Sequence, residues 1–161
     1  VEEAERSLND LLNTVRNIYL EPKVVPAGGA PELEIAMRLE KYADEVGGKE
    51  SLAIKAFARA IESVPATLIE TTGMDVVETL EELRTYHAQG RKGYGIDVIE
   101  GKIKDMAEAK IFDPIRVKKN AIKSATEAAL MILRIDDIIA AREAFEAKKE
   151  EGKTGGGEES E

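Results

Sequence analysis

Residues 24–34 read VVPAGGAPELE, and this stretch organises the rest of the chain. Val24, Val25 and Pro26 form a loop that leads into Ala27, Gly28 and Gly29. Pro31 at a first-turn position, with Glu32 and Glu34 beside it, opens a helix immediately afterwards. Glycine lets backbone or ligand approach closely, and the first N–H groups of a helix favour anions. On pattern alone, the commoner use of such a pair is a tight loop entering a helix.

On the N-terminal side, Val1, Ala4, Leu8, Leu11, Leu12, Val15, Ile18 and Tyr19 fall on one arc at helical spacing, so residues 1–20 form an amphipathic helix that Pro22 ends. On the C-terminal side, the helix opened at Pro31 stops at Gly47 and Gly48. A third, largely buried helix carries Leu52, Ile54, Phe57, Ile61 and Val64; Pro65 bounds or kinks it before a short helical stretch ending at Gly73. Asp75 and Glu78 make an Asp-x-x-Glu capping box for a helix running to about Gln89. Between Gly93 and Lys104, β-branched residues flank Glu100-Gly101 as in a small hairpin. Asp113 and Pro114 form an N-cap and N1 pair for a long helix over Ile115–Leu133. The following RIDDIIAA has the length and isoleucine content of a short strand, and the Gly- and Glu-rich end has nothing to bury, which predicts disorder from about Gly152.

The 161 residues are about one domain's worth. With 23 Lys and Arg against 32 Asp and Glu, the net charge of −9 disfavours nonspecific binding to nucleic acid or to an anionic membrane. The lack of cysteine excludes disulfides, thiolate zinc sites and thiol nucleophiles, and a single histidine, His87, excludes His-based metal clusters. No apolar run approaches the roughly 20 residues of a membrane span. The chain therefore reads as cytoplasmic, and its start at Val1 inside a helix, without an initiator Met, reads as a piece of something longer.

Taken singly, the polar candidates have plain uses. Asp10 lies on the polar side of the first helix with Glu3, Arg6, Asn13 and Asn17, as a solvated carboxylate would. Asp113 caps the long helix, Asp97 is a turn or exposed-face residue, and His87 is a surface residue near a helix end.

Strings in a fixed order change those odds. VEEAERSLNDLL, VVPAGGAPELEIA, LEELRTYHAQG, YGIDVIEGKIKDM, DPIRVK and AIKSATEAALMILRIDDIIAA together resemble, over about residues 1–142, the C-terminal part of a group II (archaeal thermosome-type) chaperonin subunit. The resemblance implies a mainly α fold: residues 1–20 as an intermediate-domain helix, 21–142 as the C-terminal half of an equatorial, ATP-binding helical bundle with a small β hairpin and a C-terminal strand, and 143–161 as a largely disordered tail. It also implies an ATPase that folds proteins. Asp10 matches the catalytic aspartate; Gly28 and Gly29 match the second and third glycines of the nucleotide loop, Gly95 and Asp97 a segment beside the adenine, Asp113 the ribose acceptor and Lys118 a lysine near the nucleotide. Its cofactors would be ATP and Mg²⁺, and its partners other subunits in a double ring of eight or nine per ring, together with unfolded client proteins.

Two features depart from that pattern. Ala27 stands where the family has the first glycine of a GGG loop, and a β-carbon there costs about 1 kcal/mol, at the expense of nucleotide affinity, if the position needs positive φ or very close backbone approach. The GDGTT phosphate loop, whose aspartate holds Mg²⁺, occurs nowhere in these residues, so the metal ligand is expected in an N-terminal half and none is assigned here. This chain by itself is therefore expected neither to hydrolyse ATP at a useful rate nor to enclose a client. The alternative is a helical scaffold or chaperonin-derived paralogue that kept the fold without turnover.

Overall fold

In a computed structural model of the chain, described over residues 2–135, five helices and four short strands follow one another. They are α1 (Glu2–Leu20), β1 (Val24–Pro26), α2 (Ala30–Val46), α3 (Gly48–Thr72), α4 (Val76–Ala88), β2 (Tyr94–Asp97), β3 (Lys102–Asp105), β4 (Phe112–Pro114) and α5 (Ile115–Leu133). Two compact units divide the chain, Val1–Ser124 and Ala125–Glu161, and the site described below belongs to the first. The class is mainly α with small antiparallel β pairs, as the resemblance implies for the helices and the hairpin; the β1–β4 pair is an addition to it. The expected strand at 134–141 lies, from residue 136 onward, outside the described residues, as does the tail from 143.

The core sits where α2, α3, α4 and β2 meet. Leu33, Ile69, Leu83 and Ile96 are fully or almost fully buried, with Met37, Leu68, Leu80 and Ile103 packed around them. Gly73 in the left-handed conformation ends α3, and the Asp75 carboxylate accepts the Glu78 N–H (2.8 Å) to start α4, as the capping pattern requires. The hairpin pairs Tyr94 with Asp105 and Asp97 with Lys102, and Gly101 turns it with φ +62°.

Several expectations are corrected. α3 runs through Pro65 to Thr72 as one helix; Pro65 is buried beside Gly29, and that packing offsets the hydrogen bond the proline cannot donate. Residues 24–26 are a strand, β1, because β4 lies antiparallel to them, with Val25 opposite Asp113. Asp113 is accordingly in a strand rather than at an N-cap, and Pro114 precedes the helix instead of opening it. The first N–H of α5, from Ile115, goes to the Lys23 carbonyl (3.0 Å). His87 is not a surface residue but 4% exposed, with ring nitrogens 2.9 Å from the Tyr94 carbonyl and 3.3 Å from Glu34 Oε2. The apolar arc of α1 has the predicted period, yet no residue of that helix is buried.

Three helices are tied by one guanidinium. Arg84 of α4 donates to both Glu40 oxygens (2.9 and 3.1 Å) on α2 and to Glu62 (2.8 Å) on α3. Replacing Arg84 by Leu strands two carboxylates and lowers stability by about 2–3 kcal/mol, with Lys, which has no planar fork, restoring only part; urea denaturation measures both. A second tie has a pH signature. Burial opposes the charge of Glu34, but hydrogen bonds from Arg38, Lys92 and His87 outweigh it and hold its pKa at about 2, below the ordinary 4.5. Since the folded value is depressed, its contribution is complete above pH 4.5 and is lost as the pH falls towards 2. Acid titration of unfolding should therefore lose part of its slope between those limits in Glu34→Gln.

Candidate functional site

The loop between β1 and α2 presses directly on β2. Gly28 and Gly29 both have left-handed backbone, φ +67° and +77°. A β-carbon on Gly28 would lie 2.7 Å from the Ile96 carbonyl oxygen and 2.8 Å from its nitrogen; one on Gly95 would lie 2.8 Å from the Ala27 carbonyl. The two backbones are joined there by the Ile96 N–H donating to the Gly28 carbonyl (2.9 Å). On the other side, Gly29 abuts Pro65 of α3. Gly29 then caps α2 without any side-chain hydrogen bond, so the start of α2 opens beside the loop.

This crossing walls a cavity of about 380 Å³. That volume falls within the roughly 300–1,000 Å³ of small-molecule sites. Its apolar side comes from Val64 and Leu68 of α3, from Ile96, Val98 and Ile99 of the hairpin, and from Met106 and Ile111; its polar side comes from Asp97, Asp113 and Lys118. Of the residues assigned from sequence, Gly28, Gly29, Asp97, Asp113 and Lys118 line it. Gly95 does not; it is the second half of the backbone crossing. Asp10 is exposed on α1 and is not among the lining residues.

The polar groups differ in how far they are already engaged. Asp97 Oδ1 accepts the N–H groups of Ile99 (3.0 Å) and Glu100 (3.1 Å), and Oδ2 lies 3.4 Å from Lys104 Nζ, so its carboxylate holds the hairpin turn. The Glu100 N–H bond leads in holding its pKa below the usual carboxylate range, against burial. Lys118 Nζ sits 2.8 Å from Glu32 Oε1 and 2.9 Å from Asp113 Oδ2. Burial disfavours its charge, but those two hydrogen bonds outweigh burial and raise its pKa above the ordinary lysine value.

Sequence reasoning did not assign Glu32 to the site, seeing only an acid suited to a helix N-terminus. Val64 and Leu68, four apart on one helix face, are the lining pair that helical spacing could have exposed. The departure at Ala27 carries no left-handed strain, because Lys110 is the only non-glycine among the described residues with positive φ; Ala27 is buried and donates its N–H to the Ile111 carbonyl (3.1 Å). No group of three or more His, Cys, Asp or Glu that could hold a metal ion occurs among the described residues.

A helical core with a glycine loop pressed on a hairpin, enclosing a cavity with a Lys–Asp rim, is the arrangement against which the chain's relatives can be set. A profile of the TCP-1/cpn60 chaperonin family matches residues 1–143, and the chain belongs to that family. It is 54% identical over 161 residues to the thermosome subunit alpha of Saccharolobus solfataricus, covering 99% of this chain and 28% of the relative. It is 50% identical over 159 residues to the thermosome subunit of Pyrococcus horikoshii, covering 99% and 29%. The open-state monomer of a group II chaperonin from Methanococcoides burtonii superposes with a TM-score of 0.74 at 41% identity, over 84% of this chain and 34% of that one. The chain thus spans 28% of the length of the first of these relatives, and its likeness is to group II, thermosome-type chaperonins.

The two backbones leave no room for a side chain at their crossing. Gly28→Ala combines left-handed strain with backbone overlap and should cost more than about 2 kcal/mol. Gly73→Ala, left-handed at φ +77° and ψ 9° but with nothing within 4 Å of the new β-carbon, should cost only about 1 kcal/mol. Urea midpoints of the two variants measure the difference; equal losses would contradict a tight crossing.

Proposed function

We propose that this chain contributes one wall of the ATP pocket and the catalytic aspartate of a group II chaperonin subunit, an ATP-driven protein-folding machine. The observation that carries the proposal is convergence: Gly28 and Gly29, Asp97, and Asp113 with Lys118 come from three separate stretches of sequence and line one cavity. The apolar side suits a base, the glycine loop at the start of α2 suits phosphate oxygens, and the Asp113 carboxylate suits ribose hydroxyls.

In this account residues 1–20 belong to an intermediate domain, 21–142 to the C-terminal half of an equatorial domain, and 143–161 to a tail. Asp10 orients or deprotonates the water that attacks the γ-phosphate, a role that fits a carboxylate kept on the polar face of a helix, and it acts when α1 moves over the nucleotide. Lys118 supplies positive charge beside the pocket. Mg²⁺, when bound, neutralises phosphate charge, with ligands from outside these residues. The whole subunit works in the cytoplasm in a double ring of eight or nine subunits per ring and encloses unfolded clients. The scaffold alternative rested on Ala27, which has no positive φ; ATP binding and hydrolysis by the full-length protein, with Ala27→Gly beside it, separate the two readings.

ATP turnover by the full-length assembled subunit tests this. Asp10→Ala should cut kcat at least about 100-fold, the scale of lost general-base catalysis, while leaving ATP affinity within about threefold. The 161-residue chain alone should show no turnover. Turnover by the chain alone that Asp10→Ala abolishes would overturn the expectation that the chain is inactive by itself, and full activity of the full-length variant would contradict the assignment of Asp10.

A further inference from the structure

Lys118 is gripped from two sides, and only one of the two grips faces the cavity. Asp113 lines it, and its Oδ2 lies 2.9 Å from Lys118 Nζ. Glu32 lies outside the lining, is 5% exposed, and holds the same nitrogen through Oε1 at 2.8 Å. Its second oxygen, Oε2, is buried without a hydrogen-bond partner, and among the described residues Lys118 is the only cation paired with this carboxylate. A helix N-terminus favours an acid at its surface just as well, so the dipole of α2 gives no reason to bury one half-satisfied.

The chemistry of lysine supplies a reason. An ammonium is a point charge with three donors on a flexible stem, and beside Asp113 alone it is free to bridge both oxygens, taking one lone pair of each from those open to a ribose. We infer that Glu32 is a positioning residue for nucleotide sugar recognition: fixed in the buried first turn of α2, it draws Lys118 to one side of Asp113 and leaves the other carboxylate oxygen to accept from ribose hydroxyls. The elevated pKa of Lys118 accords with a lysine that stays charged between two acids. This role rests on the proposed ATP pocket, and it can fail while that pocket stands.

The test uses the full-length assembled subunit with ATP and 2′,3′-dideoxy-ATP. Glu32→Gln should raise KM for ATP about tenfold, the worth of about one charged hydrogen bond, with kcat within about twofold and KM for the dideoxy nucleotide unchanged. A merely structural role would raise both KM values together, and that result, or no change in either, overturns the inference. If Glu32→Gln fails to assemble, Glu32→Gln/Lys118→Met removes both buried charges at once. Whatever that pair does to overall affinity, no lysine remains to cover Asp113, so the preference for ATP over the dideoxy nucleotide should return to within about twofold of wild type. Loss of the preference in the double variant overturns the role of Glu32. A wild-type subunit that binds no ATP contradicts the pocket itself, and this role with it.

Discussion

Two backbones passing at van der Waals distance set the geometry of the cavity. Gly28 and Gly95 each lack the one atom that would hold the segments apart, and the Ile96 N–H to Gly28 carbonyl bond fixes the crossing. Because Ile96 is also a core residue beside Leu33, Ile69 and Leu83, the hairpin cannot shift without disturbing the packing of α2, α3 and α4. The glycine loop is thus braced by the hydrophobic core on one side and by Pro65 on the other. A phosphate-sized approach to backbone is useful only if that backbone does not give way, and here it is clamped between two packed elements.

The charges follow the same economy of position. Asp97 Oδ1 holds the hairpin turn that carries Val98 and Ile99 along the cavity. Asp113 is brought to the rim by the pairing of β4 with β1, and Lys118 follows one turn into α5, where Glu32 meets it from α2. Two stretches distant in sequence, the start of α2 and the β4–α5 junction, therefore meet at one ammonium group. Such a cluster is costly to desolvate.

Local signals were legible and long-range ones were not. Asp75, Gly73, Gly101 and the span of α5 could be read from neighbours a few residues apart, because caps, turns and helical periods are local chemistry. β1 is three residues long and exists because of a partner more than half the chain away, so Val24 to Pro26 looked like a loop. Asp113 followed by Pro114 is a reasonable helix start, and only that same pairing turns it into a strand. His87 near a helix end looked exposed until Glu34 and the Tyr94 carbonyl came to both its nitrogens. The site residues were named through resemblance. Glu32, which the resemblance did not mark, emerged only from its distance to Lys118.

The central claim is that the cavity behind the glycine crossing is where nucleotide sits. A structure of the full-length subunit bound to a non-hydrolysable ATP analogue tests it directly. The account predicts the ribose within hydrogen-bonding distance of the Asp113 carboxylate, the Gly28 backbone in contact with the nucleotide, and the base against Val64 and Leu68. Nucleotide bound elsewhere, with this cavity empty, would contradict it.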